Sequence, residues 1–165
     1  LGAAGALNSE TLLLDGVTFD PTTVRTGNLL SIQNSTTASD GTNSFSQYVG
    51  ISTDTAAAQP ASGVYFQSTQ ADGANWQCIT RNGGVETKTG SGVAVDATNL
   101  QRFRIVCDGA GSVTFYINGT LVATHTTNLP ASTVDHGPVL SIVKTAGTSS
   151  RLLAVDYYAL RWNRA

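Results

Sequence analysis

Charge is scarce in this chain: 12% of its 165 residues are Asp, Glu, Lys or Arg, about half the share usual in soluble proteins. The nine Lys and Arg are scattered and the formal net charge is −2, with an isoelectric point near 5.5. No basic surface is there to gather phosphates, so nucleic acid is excluded as a partner. No apolar run approaches the ~18 residues of a membrane-spanning helix, and no membrane insertion is expected. Helix signals are nearly absent as well. The best candidates, the first few residues and residues 56–58, are each too short to stand alone in water. The opening stretch, LGAAGALNSE, lacks both a methionine and the basic head of a signal peptide. It reads as an N-terminal arm or linker stub (residues 1–10) ahead of one domain (residues 11–165). Cysteine is limited to Cys78 and Cys107, in phase with Trp76 and with Phe103 and Ile105. Both are expected to point inward, as two buried free thiols or, less commonly, as a disulfide between neighbouring strands.

What the chain does have is short alternating or apolar runs closed by Gly, Asn, Asp, Ser or Pro, the spacing of an all-β sandwich. The expected strands are residues 11–14, 28–33, 45–52, 63–68, 75–81, 85–88, 92–95, 101–107, 112–118, 120–125, 139–144 and 151–161. The sharpest local signal is SVTFYINGTLVATH, where Asn118-Gly119 supplies a two-residue turn that needs positive φ at both positions. That turn pairs Ile117 with Thr120, Tyr116 with Leu121 and Phe115 with Val122. It places Val113, Phe115, Ile117 and Val122 on a core face and Thr114, Tyr116, Leu121 and Ala123 on the other. Hairpins and long returns together point to an antiparallel two-sheet jelly roll.

The stretch QRFRIVCDGAGSVTFYINGTLVATHTTNLP, followed by GPVLSIVKTAGTSSRLLAVDYYALRWNR, resembles concanavalin-like (laminin-G-like) jelly rolls. It is similar, more narrowly, to the lectin-like modules of bacteriophage virion proteins, including head-decoration, head-fibre and tail-fibre components. The upstream GVYFQSTQADGANWQCITRNGGVETKTGSGVAV fits the same order of strands and turns, so the resemblance runs from Tyr48 to Arg164. It implies a non-enzymatic structural or attachment protein at a virion surface, or otherwise extracellular. Such a protein is expected to be a trimer or other symmetric oligomer, with copies of itself and other virion proteins as partners. The alternative is a carbohydrate-binding module that meets a host surface glycan.

Tested for chemistry, the residues support no enzyme. Retaining glycoside hydrolysis needs two carboxylates about 5 Å apart, and the Glu-x-Asp-x-x-Glu strand of concanavalin-like hydrolases is missing: Glu10 and Glu86 have no acidic partner two positions away. Asp40, Asp54, Asp72, Asp96 and Asp108 sit in expected turns, where Asp caps backbone donors. Asp156, inside the last strand, is expected to bind a loop backbone or a neighbouring subunit. The DGAG and DGAN turns offer oxygen ligands without the alternating acids of a calcium loop, and no cofactor or metal is expected. His125 and His136 lack metal-ligand spacing and a nucleophile, and read as surface or interface residues. A glycan site needs exposed rings with polar neighbours. Tyr48, Tyr116 and His125 are the candidates for a glycan or subunit contact, because alternation sets each opposite its strand's more apolar face. Trp76 and Trp162 are expected to be core or interface anchors.

Overall fold

A computed structural model describes residues 27–35, 38–53, 59–108, 111–131 and 136–161. Its strands are β1 (Gly27–Ser35), β2 (Phe45–Ser52), β3 (Gly63–Ser68), β4 (Asn75–Asn82), β5 (Val85–Ala94), β6 (Gln101–Cys107), β7 (Val113–Ile117), β8 (Thr120–His125), β9 (Gly137–Lys144) and β10 (Leu153–Arg161). They form two five-stranded sheets, β10-β1-β6-β7-β8 (sheet I) and β5-β4-β3-β2-β9 (sheet II). Every pairing is antiparallel. The chain crosses between sheets after β1, β5, β8 and β9, which builds the jelly-roll sandwich expected from the sequence. The expected strand 11–14, the helical candidates and Trp162 lie outside the described residues.

Alternation fixes which side chains enter the core. In β6 the odd positions Phe103, Ile105 and Cys107 are buried while Arg102 and Arg104 are exposed. Val113, Phe115 and Ile117 of β7 join them from sheet I, and Val49, Ile51, Val64, Phe66, Trp76 and Cys78 meet them from sheet II. A chain of rings runs through this layer. Trp76 meets Phe103 at 4.8 Å between centroids, Phe103 meets Phe66 at 4.9 Å, Phe66 meets Phe115 at 5.3 Å, and Phe115 meets the His125 ring at 5.1 Å. Such tilted and edge-on contacts suit the aromatic quadrupole. Gln101 holds one end: its Oε1 accepts from Trp76 Nε1 at 2.9 Å and its Nε2 donates to the Ala94 carbonyl at 2.9 Å. Cys78 and Cys107 are both free and buried, one from each sheet. Burial pushes the Cys78 thiol up to about 12 and the Cys107 thiol higher still.

Two local readings need correction. Residues 85–88 and 92–94 belong to one strand, β5, because the intervening Thr89-Gly90-Ser91 leads into a bulge at Gly92 and not a turn. Gly92 has φ +71°, Ser91 Oγ accepts from Val93 N at 3.0 Å, and the register slips opposite Asn75–Gln77. In the β7–β8 hairpin Asn118 (φ +52°) and Gly119 (φ +85°) make the expected turn, and Ile117–Thr120 and Tyr116–Leu121 pair as expected. A bulge then puts Phe115 opposite Ala123, not Val122, and Val113 opposite His125. The extra residue carries His125 to the core side. Asn118 also joins the hairpin to β6, donating from N to the Arg102 carbonyl at 2.8 Å and accepting from Arg102 N at Oδ1 at 2.9 Å.

Phe66 touches both aromatic neighbours from sheet I, so Phe66→Ala is expected to lower the free energy of unfolding by about 3–5 kcal/mol in urea titrations. A loss below about 1 kcal/mol would show that the ring chain does not couple the sheets.

Candidate functional site

The three residues singled out in the sequence occupy three separate places. Tyr48 lies on the outward face of sheet II but is 5% exposed, inside a second buried cluster with Tyr65, Ile79, Val139 and Val143. Its ring meets Tyr65 edge-on at 5.8 Å, and burial raises both phenols, Tyr65 to about 12. His125 is 3% exposed and His136 2%, so both are interior and not the surface or interface residues expected. Thr80 Oγ1 donates to the Thr127 carbonyl at 2.9 Å and therefore accepts from His125 Nδ1–H at 3.0 Å. That leaves Nε2 to accept the Thr89 hydroxyl at 3.0 Å. The neutral ring thus staples β8 of sheet I to β4 and β5 of sheet II, and desolvation lowers its pKa. Tyr116 alone of the three remains at the surface, half-buried on the outward face of sheet I.

The open part of sheet II's outward face carries a polar network that the sequence did not disclose. Asp72, in a 3-10 turn at Gln70–Asp72, forms an ion pair with Lys88 and accepts from Gln67 Nε2 at 2.9 Å and Thr69 Oγ1 at 2.8 Å. Burial pushes the Asp72 carboxyl up, but these hydrogen bonds outweigh it and hold the group below its usual range. Glu86 accepts from Gln59 Nε2 at 2.7 Å and pairs with Arg81 at 3.5 Å. Gln59 Nε2 also donates to Gln67 Oε1 at 3.0 Å. Both carboxylates of this face are therefore matched by a neighbouring cation. Asp72 was expected merely to cap a turn, and only the β4–β5 register, which sets Ile79 opposite Lys88, brings its partner within reach. Asp40, Asp96 and Asp108 do cap backbone donors of their turns. Asp156 is exposed and occupies the bulge between Val155 and Tyr157 in β10.

Sheet I presents a different face. Arg104 and Tyr116 are directly opposite across β6–β7, and the guanidinium carbon lies 5.3 Å from the ring centroid, a cation–π contact. Leu121, 53% exposed, is opposite Tyr116 on the other side. One step along, Arg102 and Tyr157 (45% exposed) share a row through Ile32 of β1. Among the described residues, no group of three or more His, Cys, Asp and Glu is arranged to hold a metal ion.

A model of the family described as SO2946-like, C-terminal domain, matches residues 20–156. The chain belongs to this family. Among curated proteins none matches it. The SO2946-like fold is similar to a β-glucanase of Bacillus licheniformis (TM-score 0.58, 14% identity, 85% of this chain and 67% of the enzyme). It is similar also to an alginate lyase of a Corynebacterium species (0.55, 11%, 86% and 60%) and to a galectin of Caenorhabditis elegans (0.50, 12%, 94% and 93%). The chain thus spans 60–67% of the two enzymes' length, and 93% of the galectin's. At these identities the likeness is one of fold: the lectin-like jelly roll.

Lowering the pH from about 7.5 to about 5 is expected to reduce stability through His125. The unfolded imidazole, with its ordinary value of 6.5, takes up a proton that the folded one resists. Its contribution is complete above that value and is lost as pH falls toward the depressed folded value. Urea titrations of the protein and of His125→Gln across this range check the point. An equal pH slope in both proteins would remove His125 as the cause.

Proposed function

We propose that the chain is a non-enzymatic attachment module that recognises a surface glycan and is displayed on a bacteriophage virion. The observation that carries the glycan reading is Tyr116: a ring held at the surface of an open sheet face, flanked by Arg104 and Leu121. Aromatic rings stack on sugar faces while adjacent polar groups orient the hydroxyls. The lectin-like fold, which a galectin shares along nearly its whole length, supports the same reading. Absence of catalysis is supported by the polar network on sheet II. A glycosidase acid needs a carboxyl whose pKa is raised, whereas that of Asp72 is lowered and both it and Glu86 are paired with cations. The virion setting rests on the resemblance of the strand and turn order to phage lectin-like modules.

A second reading, a capsid-decoration or fibre-knob domain acting through subunit assembly, is favoured by the β10 edge of sheet I. This edge strand exposes Val155 and Tyr157, with Leu152 beside it at 64% exposure. An edge strand with exposed apolar side chains can pair with another chain, although the exposed Asp156 and its bulge confine such a contact to the ends of β10.

On a glycan array the protein is expected to bind a subset of glycans, and Tyr116→Ala to weaken that binding about tenfold, or about 1.4 kcal/mol. Tyr48→Ala, which opens a buried cluster, is expected to lower stability and leave the binding pattern unchanged. A Tyr116→Ala protein that binds normally would sink the assignment of this face. Light scattering at micromolar concentration tests the second reading: a stable trimer supports an assembly role, and a monomer counts against a self-assembled knob.

A further inference from the structure

We infer that the glycan taken by the outward face of sheet I is an extended, linear polysaccharide met along the interior of its chain, with Tyr116 and Tyr157 as two ring contacts several sugar units apart. The inference rests on the reading of the Tyr116 face as a glycan site and adds the shape of what it takes. Tyr158 and Leu160 of β10 pack against the inner core cluster, so alternation turns Tyr157, which is 45% exposed, to the outward face that Tyr116 also occupies. Register fixes where the two rings stand. Tyr157 is opposite Ile32, and Ile32 is opposite Arg102. Tyr116 is opposite Arg104, two residues further along β6. From β10 to β7 there are three strand spacings. With two residues of rise added, the tyrosines are about 16 Å apart across one sheet face.

That span is about three pyranose units of a straight chain, so a ligand that touches both rings has about four units or more. A polysaccharide linked equatorially on both sides of each sugar, as in cellulose, runs as a flat ribbon whose C–H faces suit an aromatic ring. A chain with an axial linkage coils, and leaves the line between the rings within a few units. The open geometry points the same way. Small ligands are held in concave sites that bury most of their surface, whereas a sheet face meets each sugar from one side only. A single unit gains little there, and affinity accumulates over several units of one chain, each added contact being intramolecular. Arg104 is engaged by the Tyr116 ring and has a further partner, so it supports that ring and is not counted among the groups that meet the ligand. Arg102, exposed in the row of Tyr157, lies between the two rings and offers N–H donors to neutral hydroxyls.

The experiment titrates the full chain calorimetrically with cello-oligosaccharides and β-manno-oligosaccharides of increasing length, from disaccharide to hexasaccharide, and with maltohexaose as a coiled control. For at least one extended series, affinity is expected to rise about tenfold or more between the disaccharide and the pentasaccharide and then to level off. Tyr157→Ala and Tyr116→Ala are each expected to weaken the hexasaccharide about tenfold and to flatten the rise with length. Tyr157→Phe, which keeps the ring, is expected to bind as the unaltered protein does, and Val85→Ser, at an exposed position of sheet II, to change nothing. Urea titrations confirm that each variant is folded. Equal affinity at every length, or a Tyr157→Ala protein that keeps the full rise, would overturn the two-ring span and leave a single-sugar site at Tyr116. Maltohexaose bound as tightly as the extended hexasaccharides would overturn the straight-chain class. Silence toward both extended series, with Tyr116-dependent binding of another glycan on the array, overturns this inference and leaves the glycan face standing. Silence in both assays overturns the face as well.

Discussion

The contact of Phe66 with Phe103 and Phe115 is the constraint on which the molecule depends. The backbone ladders of two antiparallel sheets run only within each sheet, so what joins the sheets is their side chains across the gap. Here that packing is a run of rings from Trp76 to His125, each set at an angle to the next, with polar groups finishing both ends. Gln101 closes one end by satisfying the indole N–H and reaching the Ala94 carbonyl. Thr80 and Thr89 close the other by occupying both nitrogens of the imidazole. Because the polar ends are satisfied, the apolar run reaches each edge of the sandwich without leaving a buried donor unpaired.

With the sheets locked, their outward faces are free to differ. Sheet II spends much of its outer surface on a second buried cluster around Tyr48 and Tyr65, and its charges compensate one another. Sheet I keeps Arg102, Arg104, Tyr116 and Leu121 at the surface. A charge-poor chain has few means of marking a surface, and here an arginine and a tyrosine placed opposite each other by strand register supply one. The scaffold thus separates the parts that hold the fold from those available for contact, as expected where function is grafted on a fold used for many purposes.

Much of the fold was legible because period-two alternation is a local signal. Strands β2, β3, β6 and β8 match their expected bounds residue for residue. Two failures share a cause, the bulges in β5 and in the β7–β8 hairpin. A bulge adds one residue, cannot be told from a turn in Thr-Gly-Ser-Gly, and is invisible in Thr-Leu-Val-Ala-Thr-His, yet it reverses the face of everything beyond it. His125 was misplaced for that reason alone. Tyr48 was put on the right face, but its burial depends on neighbours the pattern does not encode. Asp72 was hidden differently: its partner Lys88 is sixteen residues away, and only the β4–β5 pairing joins them.

The two thiols carry a consequence of their own. Cys78 and Cys107 face the interior from opposite sheets, and burial keeps both protonated far above neutral pH. The thiolate is the nucleophile that attacks an alkylating reagent, so each cysteine is protected twice over, by exclusion from solvent and by its protonation state. Either thiol therefore becomes reactive when the sandwich opens, and its labelling rate serves as an internal clock for that event. With one thiol on each sheet, matching rates mean that the sheets part as a unit, and diverging rates identify the sheet that frays first.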